Sequence, residues 1–177
     1  MAMISRRIVV ISGFSQDLSA PTGLEQLWMK LRQLYECRDE EKTCRVSLHT
    51  WDEDFEAFTN NVIRTGPEHV GLIDLRVAAY SWGAGRGFVR LAEACKARGI
   101  RIHRAVLSDP VYHCWWMPWR ALWSPLIGEP KIKVPSSVKE VWYLRQSVDV
   151  PKGHEVIAEK ATHTGIRDYG YLTRAHS

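Results

Sequence analysis

Short apolar runs of strand length alternate along this chain with stretches whose apolar residues recur every three or four positions, and few architectures accommodate that alternation. Residues 7–12 read as a buried strand, and Leu24, Leu27, Trp28, Leu31, Leu34 and Tyr35 then mark one face of a helix. Residues 45–49 form a short strand. Thr50 and the acidic Asp52, Glu53 and Asp54 open a second helix carrying Phe55, Phe58 and Val62 until Gly66-Pro67 stops it. Residues 75–80 are the next strand. Phe88, Leu91, Ala92 and Cys95 give a third helix closed by Gly99, and residues 102–107 a fourth strand ending at Ser108-Asp109-Pro110. Residues 139–146 read as a fifth strand and 155–161 as a sixth, with residues 166–169 opening a final helix. Parallel neighbours need a crossover of a dozen or more residues, usually a helix. The pattern therefore predicts an α/β fold, a three-layer α/β/α sandwich around a mostly parallel central sheet. In such sheets ligands bind beyond the carboxyl ends of the strands.

Length and charge narrow the classes further. At 177 residues and 45% hydrophobic content, one domain spanning residues 1–177 is expected, burying roughly 70% of its unfolded surface. The net charge of +4 comes from scattered Arg and Lys rather than from a basic stripe with a recognisable module, so nucleic acid is not an expected partner. The longest early apolar run, Ile8-Val9-Val10-Ile11, is far short of the ~20 residues of a membrane span and lacks the features of a secretory leader. A cytoplasmic protein is expected. Cys37, Cys44, Cys95 and Cys114 form no Cys-x-x-Cys pair, and reduced thiols are the expectation. No ligand spacing such as His-Glu-x-x-His is present, so neither metal nor cofactor is expected.

The chemistry concentrates in Val77-Ala78-Ala79-Tyr80-Ser81-Trp82-Gly83-Ala84-Gly85, where an apolar strand gives way to a helical pattern at a serine. Ala79 and Gly83, two residues to either side, leave space for a tight turn that lifts the Ser81 hydroxyl over the strand end. The segment resembles the nucleophile elbow of the α/β-hydrolase superfamily, with Ala in place of the first Gly. The resemblance extends to chain order, since Ser81 precedes Asp109 and Asp149, and these precede His163. It implies a minimal α/β-hydrolase fold and a serine esterase or lipase-like hydrolase of carboxylic esters or thioesters. Ser81 would be the nucleophile, His163 the general base, and Asp109 or Asp149 the orienting acid. His154 is the rival base, and His176 lies close to the terminus. Pro110 is expected to hold Asp109 in an extended conformation. The resemblance also implies an oxyanion hole from the backbone N–H groups of Trp82 and of Phe14, in the Gly13-Phe14-Ser15 loop.

Residues 111–135 break the rhythm with four prolines and four tryptophans. They read as an insertion or flap in which Trp115, Trp116 and Trp119 bind an acyl substrate or touch a lipid surface, or pack as a local core. Gly83-Ala84-Gly85-Arg86-Gly87 misses the spacing of a dinucleotide-binding turn. The alternative to an enzyme is a hydrolase-like fold serving as a binding or interaction module.

Overall fold

The computed structural model describes residues 4–13, 23–36, 43–67, 69–112, 131–146 and 153–172. Six parallel strands, β1 (Ser5–Ile11), β2 (Cys44–His49), β3 (Ile73–Tyr80), β4 (Ile102–Ser108), β6 (Glu140–Gln146) and β8 (Gly165–Leu172), form one sheet in the order β2-β1-β3-β4-β6-β8. The two short strands β5 (Ile132–Val134) and β7 (Val156–Ala158) pair in parallel as a separate ribbon. The fold is α/β with a parallel central sheet.

β1 and β3 are interior strands of the sheet, and their near-continuous apolar sequence reflects cover on both faces. Val9, Ile11, Leu75, Val77 and Leu107 belong to the main core with Phe55, Val62, Phe88, Leu91 and Cys95 from helices α2 (Phe55–Thr65) and α3 (Phe88–Ala97). On the opposite face Ile8, Cys44 and Val46 pack under Trp28 and Leu31 of α1 (Gly23–Leu31). α2 begins where Asp54 accepts hydrogen bonds from the backbone N–H groups of Glu56 and Ala57, both at 3.0 Å, satisfying donors that the first turn leaves open. α3 ends before Gly99, whose φ of +68° suits a residue without a Cβ. Its Cys95 is fully buried, and burial pushes the thiol up to about 12. Cys44 is also buried and forms no disulfide, in line with the reduced thiols the sequence predicts.

Three expectations change. Residues 166–169 continue a strand rather than opening a helix, because β8 lies at the sheet edge, where Arg167, Asp168, Tyr169 and Tyr171 project into solvent. Only part of residues 155–161 is strand, and it pairs with β5 outside the main sheet. The end of the expected flap is therefore a strand: Ile132 and Val134 are buried in the main core. Helical cover of the second face also stops short. Across β4, β6 and β8, Arg104 and Arg167 lie 4.3 and 5.6 Å from the Trp142 ring centroid, and Val106 is 40% exposed. α1 packs only on the β1–β2 side of that face, and among the described residues no helix covers the rest. Among the described residues no helix is long and apolar enough to cross a membrane.

Candidate active site at the carboxyl edge

β3 delivers Ser81 to the carboxyl edge of the sheet. Its φ of +53° is left-handed, a conformation that costs a non-glycine residue roughly 1–2 kcal/mol and survives only where the surroundings impose it. Two bonds fix the turn from one side, since the Ser81 carbonyl accepts from Gly85 N at 3.0 Å and Val111 N at 3.1 Å. Ser81 N donates to the Ser108 carbonyl at 3.0 Å, continuing the ladder to β4 while the chain reverses. Trp82 then enters helical geometry, and a wide turn over Gly83–Gly87 leads into α3.

Close main-chain approach explains the small residues. A Cβ on Gly83 would lie 2.5 Å from the carbonyl oxygens of both Ile11 and Ser12, and one on Gly85 would lie 1.8 Å from the Val111 oxygen. Gly13 faces the Ser81 side chain. A Cβ there would stand 3.0 Å from Ser81 Cβ and 3.5 Å from Ser81 Oγ, so the loop after β1 leaves the sheet against the serine. The Ser81 hydroxyl is partly accessible and makes no hydrogen bond to the described residues.

Asp109 occupies the equivalent position one strand over. It is 4% exposed, and its N–H donates to the Leu144 carbonyl at 2.8 Å. Its φ is +48°, not the extended value expected before a proline. Aspartate tolerates the left-handed region, and this turn sends Pro110 and Val111 back over Gly85. A Cβ on Gly153 would lie 2.5 Å from Asp109 Oδ1, so the carboxylate packs against the backbone just before His154.

The histidines divide sharply. His163 stands just before β8, whose first residue Gly165 pairs with Glu140, the first residue of β6. It is exposed and bonded locally, with Nδ1 2.9 Å from Thr162 Oγ1 and its N–H donating to the Lys160 carbonyl. Ser81 lies beyond the level of Ser108 and Leu144, four residues or about 13 Å along the strands from that start. The expected Ser81–His163 pair is therefore corrected: the two residues sit at opposite edges of the sheet. His154 is at the right edge and 3% exposed, and its Nδ1 accepts from Tyr112 N at 2.9 Å. A backbone N–H only donates, so this bond places the proton of a neutral ring on Nε2, leaving no free ring nitrogen to take a proton from serine. His49, also at this edge, holds Nε2 2.8 Å from Ser47 Oγ and Nδ1 2.9 Å from Glu53 Oε2, with its ring against Phe58. Phe14, Trp115, Trp116, Trp119, Asp149 and His176 lie outside the described residues. No cluster of metal-ligating side chains occurs among those that are described.

Compared with family models, curated proteins and solved structures, the chain matches none.

Proposed function

We propose that the chain is a serine hydrolase of α/β-hydrolase type, cleaving carboxylic esters or thioesters through an acyl-enzyme on Ser81. The observation that carries this reading is the left-handed Ser81 at a parallel strand end, with Gly13 packed on its side chain and helical backbone beginning at Trp82. That arrangement exposes a hydroxyl next to the turn that begins at Trp82, whose backbone N–H is the oxyanion donor of this reading. A donor of this kind stabilises a tetrahedral oxyanion and is worth about 2.7–4 kcal/mol in comparable sites.

The base in this reading is a histidine other than His163, which lies at the opposite edge of the sheet, and other than His154, whose Nδ1 is held by the Tyr112 N–H. Asp149, three residues beyond β6, and the buried Asp109 are the candidate acids. The base takes the Ser81 proton as Oγ bonds to the acyl carbon, then gives it to the departing alcohol or thiol. Water, activated by the same imidazole, releases the acid and restores the serine.

The test is labelling by a fluorophosphonate together with hydrolysis of p-nitrophenyl esters of graded chain length. Wild type should be labelled once and be active. Ser81→Ala should lose the label and at least about 10³-fold in turnover, and His163→Ala should retain both. Unlabelled wild type would instead favour a binding module, a reading supported by the absence of a hydrogen-bonded imidazole at Ser81 Oγ among the described residues.

A further inference from the structure

A cavity of about 530 Å³ opens at the other edge of the sheet, between the amino ends of β1, β3 and β4 and the end of the first helical segment. Its charged wall is set by strand register. Arg6 on β1 pairs with Asp74 on β3, and Arg76 follows two residues later on the same face. Arg6 Nε donates to Asp74 Oδ2 at 3.0 Å. Arg76 grips the same carboxylate through Nε at 3.1 Å and Nη2 at 3.0 Å. Burial works to raise the Asp74 pKa, but the hydrogen bonds and charges of Arg76 and Arg6 outweigh it and hold the carboxyl below its usual range. Two guanidiniums around one ionised carboxylate leave a surplus of one positive charge.

Asp74 also leaves donors to spare. Both Nη groups of Arg6 and Nη1 of Arg76 make no hydrogen bond to the described residues, and neither do the side chains of Tyr35 and His103 on the same wall. Ile4, Leu34 and Leu72 supply apolar lining. The volume falls within the roughly 300–1,000 Å³ of small-molecule sites, which combine apolar walls with a few convergent polar groups. Guanidinium forks match carboxylate geometry, and a single surplus charge complements a monoanion.

We propose that this amino-edge cavity is a binding site for a small organic carboxylate with an apolar body, separate from the Ser81 centre. The carboxylate lies against the outer donors of Arg6 and Arg76, and the apolar body lies against Leu34 and Leu72. Asp74 holds the two forks in place.

Calorimetric titration of the full chain, with Ser81→Ala as background so that the hydrolytic centre stays silent, tests the assignment with phenylacetate, benzyl alcohol, inorganic phosphate and phenyl phosphate. Phenylacetate should bind one to one with a Kd of about a millimolar or tighter, more tightly than any of the other three. Arg76→Gln and Arg6→Gln should each weaken it about tenfold or more. Tyr35→Ala and His103→Ala leave the ion cluster whole and should weaken binding by a smaller factor, which guards against a fold defect in the arginine variants. No saturable binding of phenylacetate, equal affinity for benzyl alcohol, tighter binding of phenyl phosphate, or unchanged affinity in a folded Arg76→Gln protein would overturn the proposal.

Discussion

At the carboxyl edge of the sheet, Gly83 and Gly85 let main-chain segments approach until a single methyl group would collide, whereas at the amino edge long charged side chains reach across from strand to strand. Ser81 and Asp109 both occupy left-handed turns there, tied by backbone bonds to Gly85, Val111 and Leu144. Arg6, Asp74 and Arg76 lie within strands, and the regular β1–β3 register brings them together. The contrast is between positions that tolerate almost no change of shape and positions that respond to a change of charge.

The sharpest way to break the comparison is Gly85→Ala. With a new Cβ 1.8 Å from the Val111 oxygen, either the elbow or the strap over it must move. A cost of at least about 3 kcal/mol is expected, read as a shifted urea midpoint; an unshifted midpoint would mean that the two segments do not touch. Gly13→Ala separates shape from stability, because its Cβ would meet Ser81 Cβ at 3.0 Å rather than backbone. Here a stability change of about 1 kcal/mol or less should accompany a fall of roughly 10²-fold in ester turnover.

The amino edge should answer to pH. Asp74→Asn is expected to cost about 1–2 kcal/mol at neutral pH. The Asp74 pKa is depressed in the fold, so its contribution is complete above the unfolded value of about 3.9 and disappears as pH falls through the folded value. Denaturation curves of wild type and variant should therefore converge on acidification, and a constant gap down to the lowest pH would contradict the ion cluster. Smallest is Tyr143→Phe, which removes a 2.8 Å bond to Asp168 at a cost of about 0.5–1.5 kcal/mol. Burial, followed by that bond, raises the Tyr143 pKa to about 12. Its contribution holds below the ordinary tyrosine value of about 10 and is lost as pH rises towards 12.

The elbow was legible because a change of period, from two to about three and a half, falls on a serine with Ala79 and Gly83 beside it, and sterics alone dictate that composition. The parallel sheet was legible for the same reason. The histidine was not. Residues 166–172 carry Arg, Asp and Tyr at a sheet edge with little cover, so they lack the apolar alternation that marks a buried strand, and reading them as a helix placed His163 after the last strand instead of before it. Asp109 departed from the bias of residues before proline because tertiary bonds impose a tight reversal there. The Arg6–Asp74 pair lies 68 positions apart in sequence, and no local pattern announces it.

One consequence follows from the sulfur of Cys95. Sealed between α3 and the sheet and protonated at neutral pH, it is out of reach of alkylating agents until the helix lifts away. The rate at which iodoacetamide consumes that sulfur in native buffer is therefore a built-in clock for the opening of the molecule's centre, and its slowing on addition of a ligand would register binding anywhere that makes such opening rarer.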